Sequence, residues 1–262
     1  MLAVASFFNH RFGKRAGCLT KHALDAGVRC GSLPPCSPRK DKDKTMKFHY
    51  GAPPEATDFQ PEQEGWNSIH ELGTTAMQFV AIPVAILIIV VVGGLLLLCF
   101  PQEIKPSYIS YDPILKMEVY SITIPLLLTG FAIAMLVIPI HELVHALFHP
   151  GFGFSDKTII GAWLTKGLFY ASYQDEMTRN RYLIVFVAPF IALSLIPIAI
   201  LAFSQNLSFI SPDLRIALAA FSLLAGVGAA GDFVSFFLLI SQVPNSAMVR
   251  NKGWKTYWKP VK

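Results

Sequence analysis

The sequence has few charged residues and few cysteines. Charged residues make up 15% of the 262 residues, whereas hydrophobic residues make up 53%. Soluble domains usually carry about a quarter charged residues, so the composition favours a membrane protein. The four cysteines, Cys18, Cys30, Cys36 and Cys99, form no C-x-x-C pair. Neither a disulfide framework nor a thiolate zinc site is therefore expected.

Net positive charge is lacking outside one short region at the start of the chain. Residues 1–45 hold nine of the 22 Lys and Arg residues but only three of the 17 Asp and Glu residues, so the remainder is close to neutral. A nucleic-acid-binding surface is therefore not expected in the body of the protein. We expect residues 1–45 to be a disordered basic extension, either a misassigned start upstream of Met46 or a targeting segment.

Four apolar stretches are long enough to cross a bilayer as helices. They cover residues 77–100, 119–140, 183–204 and 216–240. The predicted fold is an all-α integral membrane protein, a four-helix transmembrane bundle that occupies residues 77–240. Residues 46–76 are expected to form a polar cytoplasmic segment before the bundle, and residues 241–262 a basic cytoplasmic tail.

Basic residues are concentrated in the loop after the second apolar stretch and in the tail. The positive-inside rule then predicts that both termini and this loop lie in the cytoplasm, with the site described next toward the same side of the membrane. The residues concerned are Lys157, Lys166, Arg179 and Arg181 in the loop, and Arg250, Lys252, Lys255, Lys259 and Lys262 in the tail.

An H-E-x-x-H motif, with His141, Glu142 and His145, lies at the end of the second apolar stretch. Residues four apart share one face of a helix, so the two imidazoles can bind one metal ion. Zn²⁺ held in this way lowers the pKa of a bound water, and the adjacent glutamate can act as general base. Three ionisable groups are costly in an apolar run unless they are paired or functional, which favours the metal-site interpretation.

A catalytic zinc site needs a third protein ligand, and the sequence offers two candidates. Asp232 follows the small residues 226–231 inside the fourth apolar stretch, where an acid is usually paired or functional. His149 follows His145 by four residues, and a bend before Pro150 could bring it to the ion. Asp232 is favoured, because His141 and His149 would lie about 11 Å apart in height along a straight helix.

The loop after the motif contains two β-prone runs, within residues 158–173, around Gly167. This pattern predicts a small β-hairpin. The hairpin could present an edge strand that binds an extended substrate segment through main-chain hydrogen bonds. It could equally be a re-entrant or interfacial loop without a role in substrate binding.

Four stretches of the sequence carry a family resemblance. They are the box His141-Glu142-Leu143-Val144-His145-Ala146, the step Ala188-Pro189-Phe190, the pair Gly231-Asp232 and the start Met46-Lys47-Phe48-His49-Tyr50-Gly51. With them, the chain resembles a zincin peptidase family of small bacterial membrane proteins, and it is more distantly similar to the site-2 intramembrane metalloproteases. The resemblance implies zinc bound by His141, His145 and Asp232, with Glu142 as base. It also implies a bacterial cytoplasmic membrane as the location.

The function expected from these observations is a membrane-embedded zinc metallopeptidase that cleaves a membrane-associated protein or peptide. The alternative is a non-catalytic metal-binding membrane protein, such as a scaffold or accessory factor. Glu142 favours the enzyme, since it is not needed merely to bind metal. A di-iron oxygenase would need more histidines than the three near the bilayer.

Overall fold

The structure is a computed structural model, and it describes residues 45–100, 109–114, 117–120, 124–203 and 211–261. The expectations for the basic extension concern residues 1–45, which lie outside the described residues except for Thr45.

The four apolar stretches form helices that are long and apolar enough to cross a membrane, as the sequence predicted. The second continues through the H-E-x-x-H motif and ends at Phe148, two residues before Pro150. The third and fourth are each divided into shorter segments. The helices are α1 (Thr74–Cys99), α2 (Ile124–Phe148), α3 (Arg179–Pro189), α4 (Ile196–Phe203), α5 (Pro212–Gly228) and α6 (Ala230–Gln242).

A π-helix, Phe190–Leu195, joins α3 to α4. It follows Pro189, whose missing N–H and bulky ring disturb the regular hydrogen-bond ladder. The hydroxyl of Ser222, on α5, donates to the carbonyl oxygen of Ser194 in the π-helix at 2.7 Å, and both residues are fully buried. This contact fixes the irregular segment against α5.

The fourth apolar stretch is interrupted at Ala229, between α5 and α6. Small residues precede the interruption, and Gly226 lies so close to Ser194 and Ile88 that an added Cβ would contact both within 3.2 Å. The interruption begins a new helix at Ala230 and places Asp232 in its first turn. In that position the carboxylate lies near the positive end of the helix dipole.

The expectation of an all-α protein needs correction, because the segments before, between and after the helices form three small sheets. Backbone N–H and C=O groups outside the helices still need hydrogen-bond partners, and strand pairing supplies them. The strands are β1 (Lys47–Tyr50), β2 (Asn67–Ser68), β3 (Ile109–Asp112), β4 (Met117–Tyr120), β5 (Thr158–Trp163), β6 (Leu168–Tyr173), β7 (Met177–Thr178), β8 (Ala247–Lys252) and β9 (Lys255–Pro260).

Strand pairing brings three distant parts of the chain together. The predicted hairpin is present as β5 and β6, and β1 pairs in parallel with β5, which gives the order β1-β5-β6. A second sheet has the order β2-β9-β8-β7, so the basic tail is a hairpin within a sheet. The segment before α1, the loop after α2 and the tail therefore lie at the same end of the helices.

The segment before α1 packs closely on the tail hairpin. Phe59, Trp66 and Tyr257 are buried together, with ring centroids 5.2 Å apart for Phe59 and Trp66 and 5.8 Å apart for Phe59 and Tyr257. The Arg250 guanidinium lies 4.3 Å from the centre of the Phe59 ring. These contacts join the two chain segments that flank the cleft described below.

Candidate metal site

His141 and His145 lie one turn apart on the last two turns of α2, and both are buried. Their Nε2 atoms are 3.1 Å apart, because the i, i+4 spacing directs both rings to the same side of the helix. The motif thus occupies the part of α2 that the sequence predicted to be a metal-binding face.

Asp232 reaches the two imidazoles from the first turn of α6. Its Oδ2 lies 2.9 Å from His141 Nε2, and its Oδ1 lies 3.3 Å from His145 Nε2. One ligand atom from each of the three residues lies within 4.8 Å of the others. The interruption at Ala229 matters here, since it sets where α6 begins and hence which residue meets α2.

A backbone contact fixes the orientation of His145. Its Nδ1 lies 2.8 Å from the carbonyl oxygen of Val185 on α3, and a carbonyl can only accept a hydrogen bond. Nδ1 therefore carries a proton, and Nε2 is the ring nitrogen that faces Asp232 and His141 and can bind a metal ion when the ring is neutral. Metal-ligating histidines are commonly oriented by such a bond from the other ring nitrogen.

The arrangement fits a zinc ion. Two imidazole nitrogens and one carboxylate oxygen are a common protein donor set for catalytic zinc. Ligand atoms on a tetrahedral zinc ion lie about 3.3 Å apart, given bonds of about 2.0 Å. The two Nε2 atoms, 3.1 Å apart, are close to that spacing. Asp232 approaches them with different oxygens, Oδ2 at 2.9 Å from His141 and Oδ1 at 3.3 Å from His145, so either oxygen could serve as the carboxylate ligand. His141 Nδ1 is buried and has no partner among the described residues, so it is available to a water molecule.

His149, the other candidate for the third ligand, lies outside the group formed by His141, His145 and Asp232. It follows the end of α2 in an extended conformation and packs against Tyr173, with ring centroids 5.5 Å apart. Arg181 donates to the carbonyls of Phe148 and His149 and so caps the end of α2. Burial, with the nearby positive charges of the His145 and Arg181 side chains, lowers the pKa of His149 to about 3.

Glu142 is buried beside the two histidines, and the backbone N–H of Ala171 on β6 faces its carboxylate. β6 is an edge strand, and its residues line the same cleft as the motif. Since N–H groups of alternate residues point the same way along a strand, those of Phe169 and Tyr173 are also directed away from β5. The cleft has a volume of about 460 Å³ and holds Glu142 between the metal-binding group and the outer edge of β6, which pairs with no further strand among the described residues.

Four residues of the cleft were not expected from the sequence. Glu71 lines the cleft together with Tyr182, Asn251 and Thr256. Burial raises the pKa of the Glu71 carboxyl, and hydrogen bonds from the Thr256 hydroxyl and backbone N–H oppose this shift. No local sequence pattern indicates this position of Glu71, because Tyr182, Asn251 and Thr256 are more than 100 residues away along the chain.

A comparison with protein families agrees with this geometry. Residues 134–248 match a family described as "Putative zincin peptidase", and the match includes His141, Glu142, His145 and Asp232. The resemblance stated from the sequence is confirmed for this segment. No curated protein and no solved structure matches the chain significantly.

Proposed function

We propose that the segment matching the zincin peptidases forms, with the strands packed on it, a membrane-embedded zinc metallopeptidase. Its substrate is a membrane-associated protein or peptide. The observation that carries the proposal is the meeting of His141, His145 and Asp232 beside Glu142, in a cleft bordered by the free edge of β6. A metal-binding scaffold would need neither the buried Glu142 nor the free strand edge.

The proposal of a membrane location rests on the surface of the helices. Only 17% of the most apolar window of α1 is buried within the protein, and most of its large apolar side chains are exposed. Such a surface requires an apolar solvent. At about 1.5 Å per residue, His141 lies about 10 Å from the end of α2, so cleavage would occur in the part of the bilayer near one surface.

The proposed reaction is hydrolysis of a peptide bond by water. A zinc ion held by His141, His145 and Asp232 would supply Lewis acidity toward the water and the scissile carbonyl. The water oxygen bonds to the scissile carbonyl carbon while Glu142 takes a proton from the water. Glu142 then donates that proton to the amine nitrogen that leaves as the C–N bond breaks. Val185 holds the His145 ring in the tautomer that leaves Nε2 free.

The edge of β6 is the proposed binding site for the substrate backbone. A transmembrane helix satisfies its peptide groups internally, so a protease must bind its substrate as an unwound, extended segment. An extended segment can pair with Phe169 and Tyr173 through main-chain hydrogen bonds, on either side of Ala171, whose N–H faces Glu142. This pairing would place one of its peptide bonds next to Glu142.

The test compares the wild-type protein with Glu142→Gln, which keeps the size of the side chain but cannot accept the proton. Each purified protein is loaded with zinc and incubated with isolated membrane proteins, and new N-termini are identified by mass spectrometry. We expect new termini with the wild type and at least a hundredfold fewer with the variant, at equal zinc content. Equal numbers would favour the non-catalytic metal-binding alternative.

A further inference from the structure

Glu71 is the acidic residue of the cleft that the proposed reaction does not use. It lies between β2 and α1, on the wall formed by the segment before α1 and the tail hairpin. Within the described ranges it makes no ion pair with a Lys or Arg side chain, although it is partly buried. Thr256 donates hydrogen bonds to its carboxylate, and the positive charge of Lys255 stabilises it from beyond ion-pair distance. Partly buried carboxylates are usually in contact with a cation, so the arrangement calls for an explanation.

The balance of charge in the cleft singles out the same residue. The acidic residues that line it are Glu71, Glu142 and Asp232, and no Lys or Arg lines it within the part of the chain that the structure describes. Glu142 and Asp232 together balance the charge of one zinc ion. Glu71 lies outside this balance, and the cation that acts on it, Lys255, does not line the cleft.

The wall around Glu71 has an apolar part beside the polar residues Tyr182, Asn251 and Thr256. Ile69, Leu72, Met77 and Trp254 line the cleft together with it. The Trp254 indole N–H donates to the carbonyl oxygen of Leu72 at 3.5 Å, which fixes the tail hairpin against this wall. An apolar wall with one carboxylate matches the side chains of Lys and Arg, which have an aliphatic stem and a charged end.

We propose that Glu71 and this apolar wall form a subsite for a Lys or Arg side chain of the substrate. The inference rests on the proposed function, since it names the chemistry of the segment that β6 would hold. It assigns Glu71 to substrate specificity, because the residue lies in the cleft but outside the group of metal-binding side chains and Glu142.

Another explanation of Glu71 is purely structural. The Thr256 hydroxyl and backbone N–H bond to its carboxylate, and this contact could serve only to attach the segment before α1 to β9. Glu71→Gln separates the two roles, because the amide oxygen can still accept these hydrogen bonds while the charge is lost. A structural role predicts no change in peptide preference for this variant.

The test measures binding, which does not depend on turnover. The zinc-loaded Glu142→Gln protein is titrated with fluorescent alanine-based peptides that carry a single Lys, norleucine or Glu, placed at each position in turn. At one position we expect Lys to bind about tenfold more tightly than norleucine, which has a similar stem without the charge. Adding Glu71→Gln should abolish this preference, and adding Glu71→Lys should transfer it to the Glu peptide.

Glu62→Gln is the matched control, because Glu62 is an exposed acid on the same polar segment and lies outside the cleft. It should leave the Lys preference unchanged. Equal binding of the three peptides, no binding of any of them, or a preference that survives Glu71→Gln would overturn the subsite. Selective Lys binding without hydrolysis by the wild type would support the subsite and refute the proposed peptidase activity.

Discussion

At the scale of single residues, the site depends on which nitrogen and oxygen atoms keep free lone pairs. Val185 holds the proton on His145 Nδ1, so Nε2 is free for a metal ion. Asp232 offers one oxygen to each histidine. These positions follow from backbone geometry on α3 and α6, which explains how three residues from distant parts of the chain come together.

His149 gives a prediction about the pH dependence of stability at the same scale. Its pKa is about 3 in the folded protein and 6.5 in the reference state, so the unfolded chain binds the proton more readily. Stability from neutral His149 is complete above pH 6.5 and is lost progressively as the pH falls toward 3. For this one group the slope should be about 1.4 kcal/mol per pH unit.

The measurement is unfolding of EDTA-treated protein in detergent between pH 7 and pH 4. His149→Gln should lose less stability on acidification than the wild type. The exposed His70 provides the control, and His70→Gln should follow the wild-type curve. A wild-type curve that matches His149→Gln would show that His149 is not held neutral by burial.

At the scale of elements, the irregular parts of the third and fourth apolar stretches matter most. The interruption at Ala229 begins α6 where Asp232 faces α2, and the π-helix Phe190–Leu195 contacts α5 just before that interruption. The Ser222 hydroxyl bond to the Ser194 carbonyl joins these two irregularities. We therefore expect this bond to contribute to stability and to the position of α6.

Ser222→Ala should lower the free energy of unfolding by about 1 kcal/mol, because it leaves a buried carbonyl without this donor. Ser241→Ala is the matched control, since the Ser241 hydroxyl also donates to a carbonyl, that of Leu238, but at an exposed position. It should change the unfolding free energy much less. Equal effects of the two substitutions, measured by unfolding in detergent, would contradict a special role for the buried bond.

The elements differ in how far the sequence could predict them. His141, Glu142 and His145 were predictable, since the spacing of a motif on one helix is local information. Asp232 was predictable because an acid in an apolar stretch is unusual. The role of Val185 was not, because a backbone carbonyl has no sequence signature. The pairing of β2 with β9 joins residues almost 200 positions apart, and no local pattern indicates it.

The tail hairpin shows a signal that could have been used. Ala247 and Val249 are buried and alternate with more exposed residues, and Gly253 adopts the left-handed backbone conformation, with φ at 60°. Alternation followed by a glycine turn is typical of a hairpin. The basic charge of residues 241–262 instead suggested a cytoplasmic tail.

At the scale of the whole molecule, strand pairing constrains the membrane topology. β1, in the segment before α1, pairs with β5, in the loop after α2. β2, in the same segment before α1, pairs with β9, in the tail. All three regions must therefore be on one side of a bilayer. The distribution of basic residues predicts the cytoplasmic side.

Topology can be tested by cysteine labelling in intact cells, after the native cysteines have been replaced. Single cysteines in place of Glu62, Lys166 and Lys255 should all be protected from a reagent that does not cross the membrane. A cysteine in place of Ile114, an exposed residue at the other end of the helices, should react. Labelling of only some of the first three positions would contradict the sheet pairing.

The measurement that tests the central claim most directly is the zinc content of the detergent-purified protein, determined by elemental analysis after reconstitution and dialysis. The wild type should retain one zinc ion per chain, whereas Asp232→Asn should lower zinc affinity by about a hundredfold and His149→Ala should not lower it. Full zinc retention by Asp232→Asn, with loss of zinc from His149→Ala, would contradict the assigned third ligand. No zinc in the wild type would contradict the metal site itself.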